Sequence, residues 1–438
     1  MENIENAYNI YDDFLKMERA TFADGSNIVP YISSEQFRGK KYVTWRDPIA
    51  EMDYPNKLLE LYYNSSLHHS IVDMKAELIA GQGFELVDPN SSNANKTMEF
   101  IKAVNFDGDD LNAVNQKVSL DLVLFNMISS QIIFRKDWSY VDSVKHIEIA
   151  KMRRETPDDK GYINGYYWSF DWSKYRPSKL IYLEEFNVNK VLERKNNYKE
   201  IEGRILSNNP KENDLNNFNS LLNINNTLAY VYRTYQPNSF YYSTPEYLAI
   251  IPNLEIDILS DVYATSSLKN GMDNGNYIIM IGNPNQPESK RTAKQLLIDY
   301  SGARKAGKPV IVWADSKADA PEIRDISNSN SLANKYKIIN ESVQQKILTG
   351  HRIPNSSMVG IQVAGKLGDS NNAVENQEIF FNNYVKPKQQ LLENYWNKIM
   401  EFNGLDKIRI IKSNIFNTQA IESKEAGLVT PENNNQVI

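Results

Sequence analysis

If this chain performs chemistry, its histidines, acidic runs and glycine–lysine pairs must carry it. Gly302-Ala303-Arg304-Lys305-Ala306-Gly307-Lys308-Pro309 has the glycine and lysine spacing of a phosphate-cradling loop. Such a loop needs a hydroxyl after the lysine to hold Mg²⁺. It also needs a strand–loop–helix order that aims a helix N-terminus at the phosphates. Here the hydroxyl position is Pro309, and the pattern puts the segment after a helix and before a strand. A glycine-capped helix end with a basic last turn accounts for it. His68 and His69 are adjacent, so they point about 100° apart on a helix and cannot share a metal from one face. His146 and His351 have no carboxylate or histidine at i+3 or i+4 to complete a site. Asp107-Gly108-Asp109-Asp110 lacks the further ligands of a calcium loop and reads as a loop leading into a helix. The chain has 0 cysteines, which removes thiolate ligands, thiol nucleophiles and disulfides. The expectation is a protein with no catalytic residues, no metal and no cofactor.

What remains is architecture. The 438 residues suggest two to four packing units, and an apolar fraction of 41% is enough for real cores. No apolar run is long enough for a membrane span. Met1-Glu2-Asn3-Ile4-Glu5-Asn6 is polar and acidic, unlike a signal peptide, so a soluble protein made in a cytoplasm is expected. Gripping DNA statically takes a basic surface, because phosphate neutralisation supplies most non-specific affinity. A formal net charge of −6 argues against that role. It fits a conduit that DNA slides past, and fits most cytoplasmic enzymes equally well.

The pattern predicts mixed α and β structure. Residues 1–52 read as an arm with some local strand. A helical region starts at Asp53–Pro55; Leu67, Ile71, Met74 and Leu78 form an apolar stripe, and Gly81 and Gly83 end it. A helix over 110–127 carries Val114, Val118, Leu122 and Phe125 on one side. Residues 129–236 read as short strands rich in aromatic and β-branched residues, with the polar, Asn-rich stretch 195–226 as a surface loop containing one helical turn. Helix returns over 247–271, with Leu254, Ile258 and Val262 as its stripe, widened by Leu259 and Tyr263; Pro252 either opens or kinks it. Residues 271–328 read as a small α/β insert, with strands at 277–281, 309–313 and 322–326 and a helix at 288–303. A helix over 332–349 follows, with Tyr336, Ile339, Val343 and Ile347 on one face. A glycine-punctuated segment (Gly360, Gly365, Gly368) leads to a long helix over 371–401, which Pro387 should bend. A strand at 407–411 precedes a polar tail whose last fifteen or so residues are expected to be disordered.

Five segments, in one order, resemble those of tailed-bacteriophage portal proteins. Ser66-Leu67-His68-His69-Ser70-Ile71-Val72-Asp73-Met74-Lys75-Ala76-Glu77-Leu78-Ile79-Ala80-Gly81-Gln82-Gly83-Phe84 resembles the N-terminal wing helix. Tyr241-Tyr242-Ser243-Thr244-Pro245-Glu246-Tyr247 resembles the approach to the first stem helix, with Ser243 where the family usually has glycine. Leu268-Lys269-Asn270-Gly271 resembles its exit. Gly350-His351-Arg352-Ile353-Pro354 resembles the end of the second stem helix. Leu367-Gly368-Asp369-Ser370-Asn371-Asn372-Ala373, then Phe380-Phe381 and Pro387, resembles the start and kink of the long wing helix.

The resemblance implies an α+β portal fold. Its parts would be an N-terminal arm (1–52), a wing (53–244), a first stem helix (245–271), a clip (272–328) and a second stem helix (329–353). A tunnel loop with the long wing helix (354–404) and a short crown and tail (405–438) would follow. It implies a homo-oligomeric ring, usually of twelve subunits, at one capsid vertex of the virion, through which double-stranded DNA is packaged and ejected. Its partners would be the major capsid protein, the terminase large subunit and then the head–tail adaptor, with no membrane. Gln362, Val363 and Lys366 of the tunnel loop, with Lys335 and Lys337 of the second stem helix, would face the DNA. Lys290, Arg291, Lys294, Arg304 and Lys305 would form the docking surface of the clip. The competing readings are another capsid or tail-assembly protein and a DNA-processing enzyme.

Overall fold

A computed structural model describes residues 34–37, 40–45, 53–172, 179–207, 211, 213–237, 239–269, 277–281, 310–314, 329–359 and 370–413. The chain mixes helix and sheet and divides into two units. One comprises Met1–Leu58, Ile71–Glu246 and Ile353–Ile438; the other comprises Leu59–Ser70 and Tyr247–Arg352.

The larger unit begins with an antiparallel pair, β1 (Ser34–Phe37) and β2 (Lys40–Val43). The helical region expected after Asp53 is two helices, α1 (Tyr54–Asn64) and α2 (Ser66–Ala80). The buried stripe of α2 is rotated from the expected one. Ile71 and Leu78 are buried, but Leu67 and Met74 are only half-buried, and His68, Val72, Lys75 and Ile79 take the inner positions. Lys75 places its ammonium 4.2 Å from the centre of the Tyr384 ring, which gives the buried charge a partner. Gly81 ends α2 with φ +68°. A Cβ there would come within 2.4 Å of Ile410 Cγ2, so both the turn and the close approach require glycine. The strand it meets, β12 (Ile408–Ile410), pairs antiparallel with β3 (Phe84–Leu86).

After α3 (Ala94–Lys102), Asp110 caps α4 (Leu111–Phe125) by accepting from the Ala113 amide at 2.7 Å. All four predicted stripe residues of α4 are buried. A six-stranded sheet follows, built from β4 (Met127–Phe134), β5 (Val141–His146), β6 (Met152–Arg154), β7 (Gly165–Trp168), β8 (Ile181–Glu185) and β9 (Thr227–Arg233). The spatial order is β5-β4-β9-β8-β7-β6, antiparallel throughout except for β8–β9. Ile147, Met152, Tyr166, Leu183 and Ala229 form a buried cluster on it. The sequence reading missed β6, whose basic Met152-Arg153-Arg154 does not look like a strand. Its Arg153 is buried because it pairs with Asp53 and lies over Trp172.

The stretch expected to be a loop is helical. It forms α5 (Val188–Leu206) and α6 (Asp214–Asn223). Val191 and Ile201 are the buried residues of α5, and Asp214 is that of α6, so little apolar periodicity was there to read. Polar contacts define the pair instead. Asn187 caps α5 by accepting from the Asn189 and Lys190 amides, and Arg204 donates both ends of its fork to Asp214 at 2.8 Å.

The smaller unit contains α7 (Ile251–Lys269), the parallel strands β10 (Tyr277–Ile281) and β11 (Val310–Ala314), and α8 (Ser329–Gly350). The helix expected at 288–303, the strand at 322–326, the phosphate-loop look-alike at 302–309 and the tail beyond 413 lie outside the described residues. The chain then returns to the larger unit with α9 (Ser370–Phe380) and α10 (Lys386–Phe402). Pro387 stands in the first turn of α10. The expected interruption takes the form of a π-turn over Phe381–Val385, which places Phe381, Tyr384 and Val385 in the interior. Trp396 of α10 is 1% exposed and donates to Asn115 Oδ1 at 2.8 Å, while Tyr395 stacks on Tyr230 with centroids 4.0 Å apart.

Candidate functional site

The candidate site is the pair of long helices in the smaller unit. A 3₁₀ turn, Leu248–Ile250, leads into α7, and Pro252 stands in the first turn of the helix, where proline is tolerated. Lys269 lies in the last turn, where a cation complements the helix dipole. The 19 residues of α7 and 22 of α8 correspond to roughly 29 and 33 Å of helix at 1.5 Å per residue. The two helices lie against each other. Their shared core is small: Ile251 and Leu254 are the buried residues of α7, and Val343 and Ile347 those of α8 among its described side chains. Of the predicted stripes, Ile258 and Val262 are only half-buried. Ile339 is 49% exposed, Leu259 43%, Ile338 65% and Leu268 62%.

The base of this pair is tightly built. Leu59–Ser70 belongs to the same unit and brings His68 to His351 at the end of α8. The rings are 0% and 1% exposed, and His68 Nδ1 lies 2.9 Å from His351 Nε2, so one ring donates to the other. Tyr247 packs on both, with centroids 4.6 Å from His68 and 5.3 Å from His351. The position of His351 follows from its neighbours. A Cβ on Gly350 would sit 2.3 Å from Ile250 Cγ2, so glycine lets the helix end close on the 3₁₀ turn. Arg352 then takes φ +59°, a left-handed conformation uncommon for a side-chain-bearing residue, and turns the chain away. Beside the pair, Ser65 donates its hydroxyl to Asp257 Oδ2 of α7 at 2.7 Å. Burial raises the Asp257 carboxyl above its ordinary range; the Ser65 bond opposes this and nearby Asp261 adds to it.

The histidine reading needs correcting in one respect. Judging each histidine by its i+3 and i+4 neighbours missed partners supplied by the fold. His68 and His351 meet across 283 residues, and His146 Nε2 lies 2.8 Å from Asp121 of α4. Asp121 also accepts from the Ile149 amide at 3.2 Å, which makes that dyad a brace within the larger unit. His69 stacks on Tyr62, centroids 4.3 Å apart. The acidic run is spent structurally. Asp110 caps α4, Asp107 pairs with Lys145, and Asp109 accepts from Lys117 and Asn105, which hold its carboxyl below its usual range. Among the described residues no group of three His, Cys, Asp or Glu could hold a metal ion, and no helix is long and apolar enough to cross a membrane.

Of the residues expected to face DNA, Lys337 is described in full. It is exposed on α8, its ammonium 4.0 Å from Glu341 one turn on. Lys335 lies two positions earlier on the same helix. Two steps rotate about 200° around a helix, so the two positions lie on opposite sides of α8. Gln362, Val363 and Lys366, and the clip residues Lys290, Arg291, Lys294, Arg304 and Lys305, lie outside the described residues.

The segment before α7, in the larger unit, explains the serine that replaces glycine. Ser243 does not take positive φ, and its hydroxyl donates to the Thr234 carbonyl at 2.7 Å, so the turn uses a side chain that glycine lacks. Tyr242 stacks on Trp45, centroids 4.4 Å apart. Its hydroxyl donates to the Val43 carbonyl and accepts from the Arg154 amide, and burial pushes the phenol well up. Glu246 accepts from Lys388 of α10 at 2.6 Å. Residues 242–246 are therefore tied to the rest of the larger unit at several points.

No protein-family model matches the sequence, and no curated protein matches it. Among solved structures, the fold is similar to a chain in the virion of a native gene transfer agent particle, with 13% identity, TM-score 0.47, and coverage of 86% of this chain and 91% of that one. It is also similar to a chain in the neck of the empty particle computed with C6 symmetry, with 12% identity, TM-score 0.49, and coverage of 85% and 88%. A chain in the neck of the native particle computed with C12 symmetry gives 12% identity, TM-score 0.47 and the same coverages of 85% and 88%. At these scores the likeness says nothing about what the chain does.

Proposed function

We propose that this chain is the subunit of a portal ring, a channel at one capsid vertex through which double-stranded DNA enters and leaves. One observation carries the reading: α7 and α8 leave Leu259, Leu268, Ile338 and Ile339 exposed. Burying one such side chain is worth about 1.5–3 kcal/mol, so two long helices that expose four of them gain most from neighbours of the same kind. Identical copies side by side supply those neighbours at every position of a closed ring. The ordered resemblance to portal proteins supports the same reading.

In this ring, α7 and α8 form the wall, and 272–328 projects as the clip that meets the terminase large subunit and later the head–tail adaptor. The wing and α10 face the major capsid protein. Residues 355–370, with Lys366, approach the DNA, joined by one of Lys335 and Lys337. Few fixed cations would line the bore, so the duplex would meet weak, local phosphate contacts rather than a clamp. The subunit number of twelve comes from the resemblance alone.

Electron microscopy and mass measurement of the purified chain test the reading. Wild type should form closed rings with a central hole wide enough for B-form DNA. Leu259→Asp combined with Ile339→Asp should leave folded, solitary subunits. Solitary wild-type subunits under all virion-like conditions would overturn the proposal, as would rings unchanged by the double substitution.

A further inference from the structure

We propose that His68 and His351 form a proton-sensitive clasp at the base of the α7–α8 pair, closed when both rings are neutral and loosened by acid. The clasp belongs to the chain itself and stands whether or not the chain forms a ring. Two imidazoles 2.9 Å apart bond only if one nitrogen carries hydrogen and the other offers a lone pair. One added proton places a charge on a pair that is 0% and 1% exposed. A second puts hydrogen on both facing nitrogens and abolishes the bond. The rings cannot easily move apart, because Gly350 abuts Ile250, Arg352 turns sharply and Tyr247 packs on both.

The surrounding groups give the acid response its sign. From the 3₁₀ turn comes the phenol of Tyr247, which stays neutral near pH 7. From α2 comes His69, held against Tyr62. From the turn after α8 comes Arg352, exposed and adjacent in sequence. From α7 comes Asp257, tied to the His68 backbone through Ser65, with Asp261 beyond it. The carboxyl of Asp257 is raised, so the folded state binds its proton more readily than the unfolded one, and Asp257 adds stability as pH falls. The clasp does the opposite: its imidazoles are free to charge once the site opens, so the open state binds more protons and stability falls with pH. Acid loosening in this region therefore cannot come from Asp257.

The test is hydrogen exchange on the wild-type chain, in the assembly it forms, at pH 7.5 and 5.5 after correction for intrinsic amide rates. Free imidazoles titrate near 6.5, so acidification should raise the opening constant about tenfold for each ring that must stay neutral while closed. The excess should appear in 65–70, 247–254 and 343–352, and not in β4 or α10. His351→Gln offers a hydrogen-bonding amide that does not titrate and should reduce the excess to tenfold or less. Equal exchange at the two pH values in those segments would overturn the proposal, and the wild-type measurement decides it even if the variant fails to fold. An excess in His351→Gln equal to that of wild type would overturn it as well.

Discussion

The six-stranded body and the long-helix pair solve the problem of burial differently. In the body, Trp45, Trp138 and Trp396 are each 1% exposed, and Trp396 is both packed and hydrogen-bonded, to Asn115. Along α7 the buried residues are Ile251 and Leu254, both in its first turn, while Leu268 near its far end is 62% exposed. The body has a core complete in one chain. Among the described residues, the helix pair is buried chiefly at its base. On the proposed reading, stability sits where one chain is self-sufficient, and the assembly surface lies on elements that need a neighbour.

The largest test of this contrast is Trp396→Ala, which should cost the body about 3–5 kcal/mol, read as a lowered denaturant midpoint. An effect under 1 kcal/mol would mean the body is not the stability core described here. Ile258→Pro removes a helical hydrogen bond in α7 and should cost about 3 kcal/mol, with loss of the proposed ring and a body that still melts cooperatively. Loss of both together would blur the distinction between the regions. Gly350→Ala forces a methyl against Ile250 and should cost about 1–3 kcal/mol, seen as faster exchange confined to the base of the helix pair. Smallest is Lys337→Glu, on an exposed face: stability should change by less than about 0.5 kcal/mol. In the proposed ring, any effect of that substitution should appear in the length or retention of packaged DNA, and its absence would remove Lys337 from the proposed bore.

How much of this could be read in advance depended on how each element is held. Strands β4, β5, β7, β8 and β9 and the stripe of α4 were legible because apolar side chains at regular spacing determine them. The paired helices were legible as helices, but a stripe on a helix cannot say whether its partner lies in the same chain, and Ile339 proved exposed. Helices α5 and α6 escaped because a cap and an arginine fork, rather than periodic burial, define them. The His68–His351 contact escaped for a deeper reason: nothing local to either residue announces a partner 283 positions away. The inward turn of Lys75 was hidden too, since a lysine on a helix is ordinarily a solvated one.

The pairing of β3 with β12 has a consequence for biosynthesis. Phe84–Leu86 emerges from the ribosome early, and its strand partner Ile408–Ile410 emerges more than three hundred residues later. Of the smaller unit, Tyr247–Arg352 is made within that interval, while Leu59–Ser70 precedes it and waits. Neither unit can reach its final form by folding in the order of translation, so both finish maturing late and almost together. A nascent chain halted before residue 410 would lack a sealed body, and the exposed apolar faces of α7 and α8 would emerge ahead of it. Such a topology favours chaperone custody during synthesis and would defer assembly of the proposed ring until translation is complete.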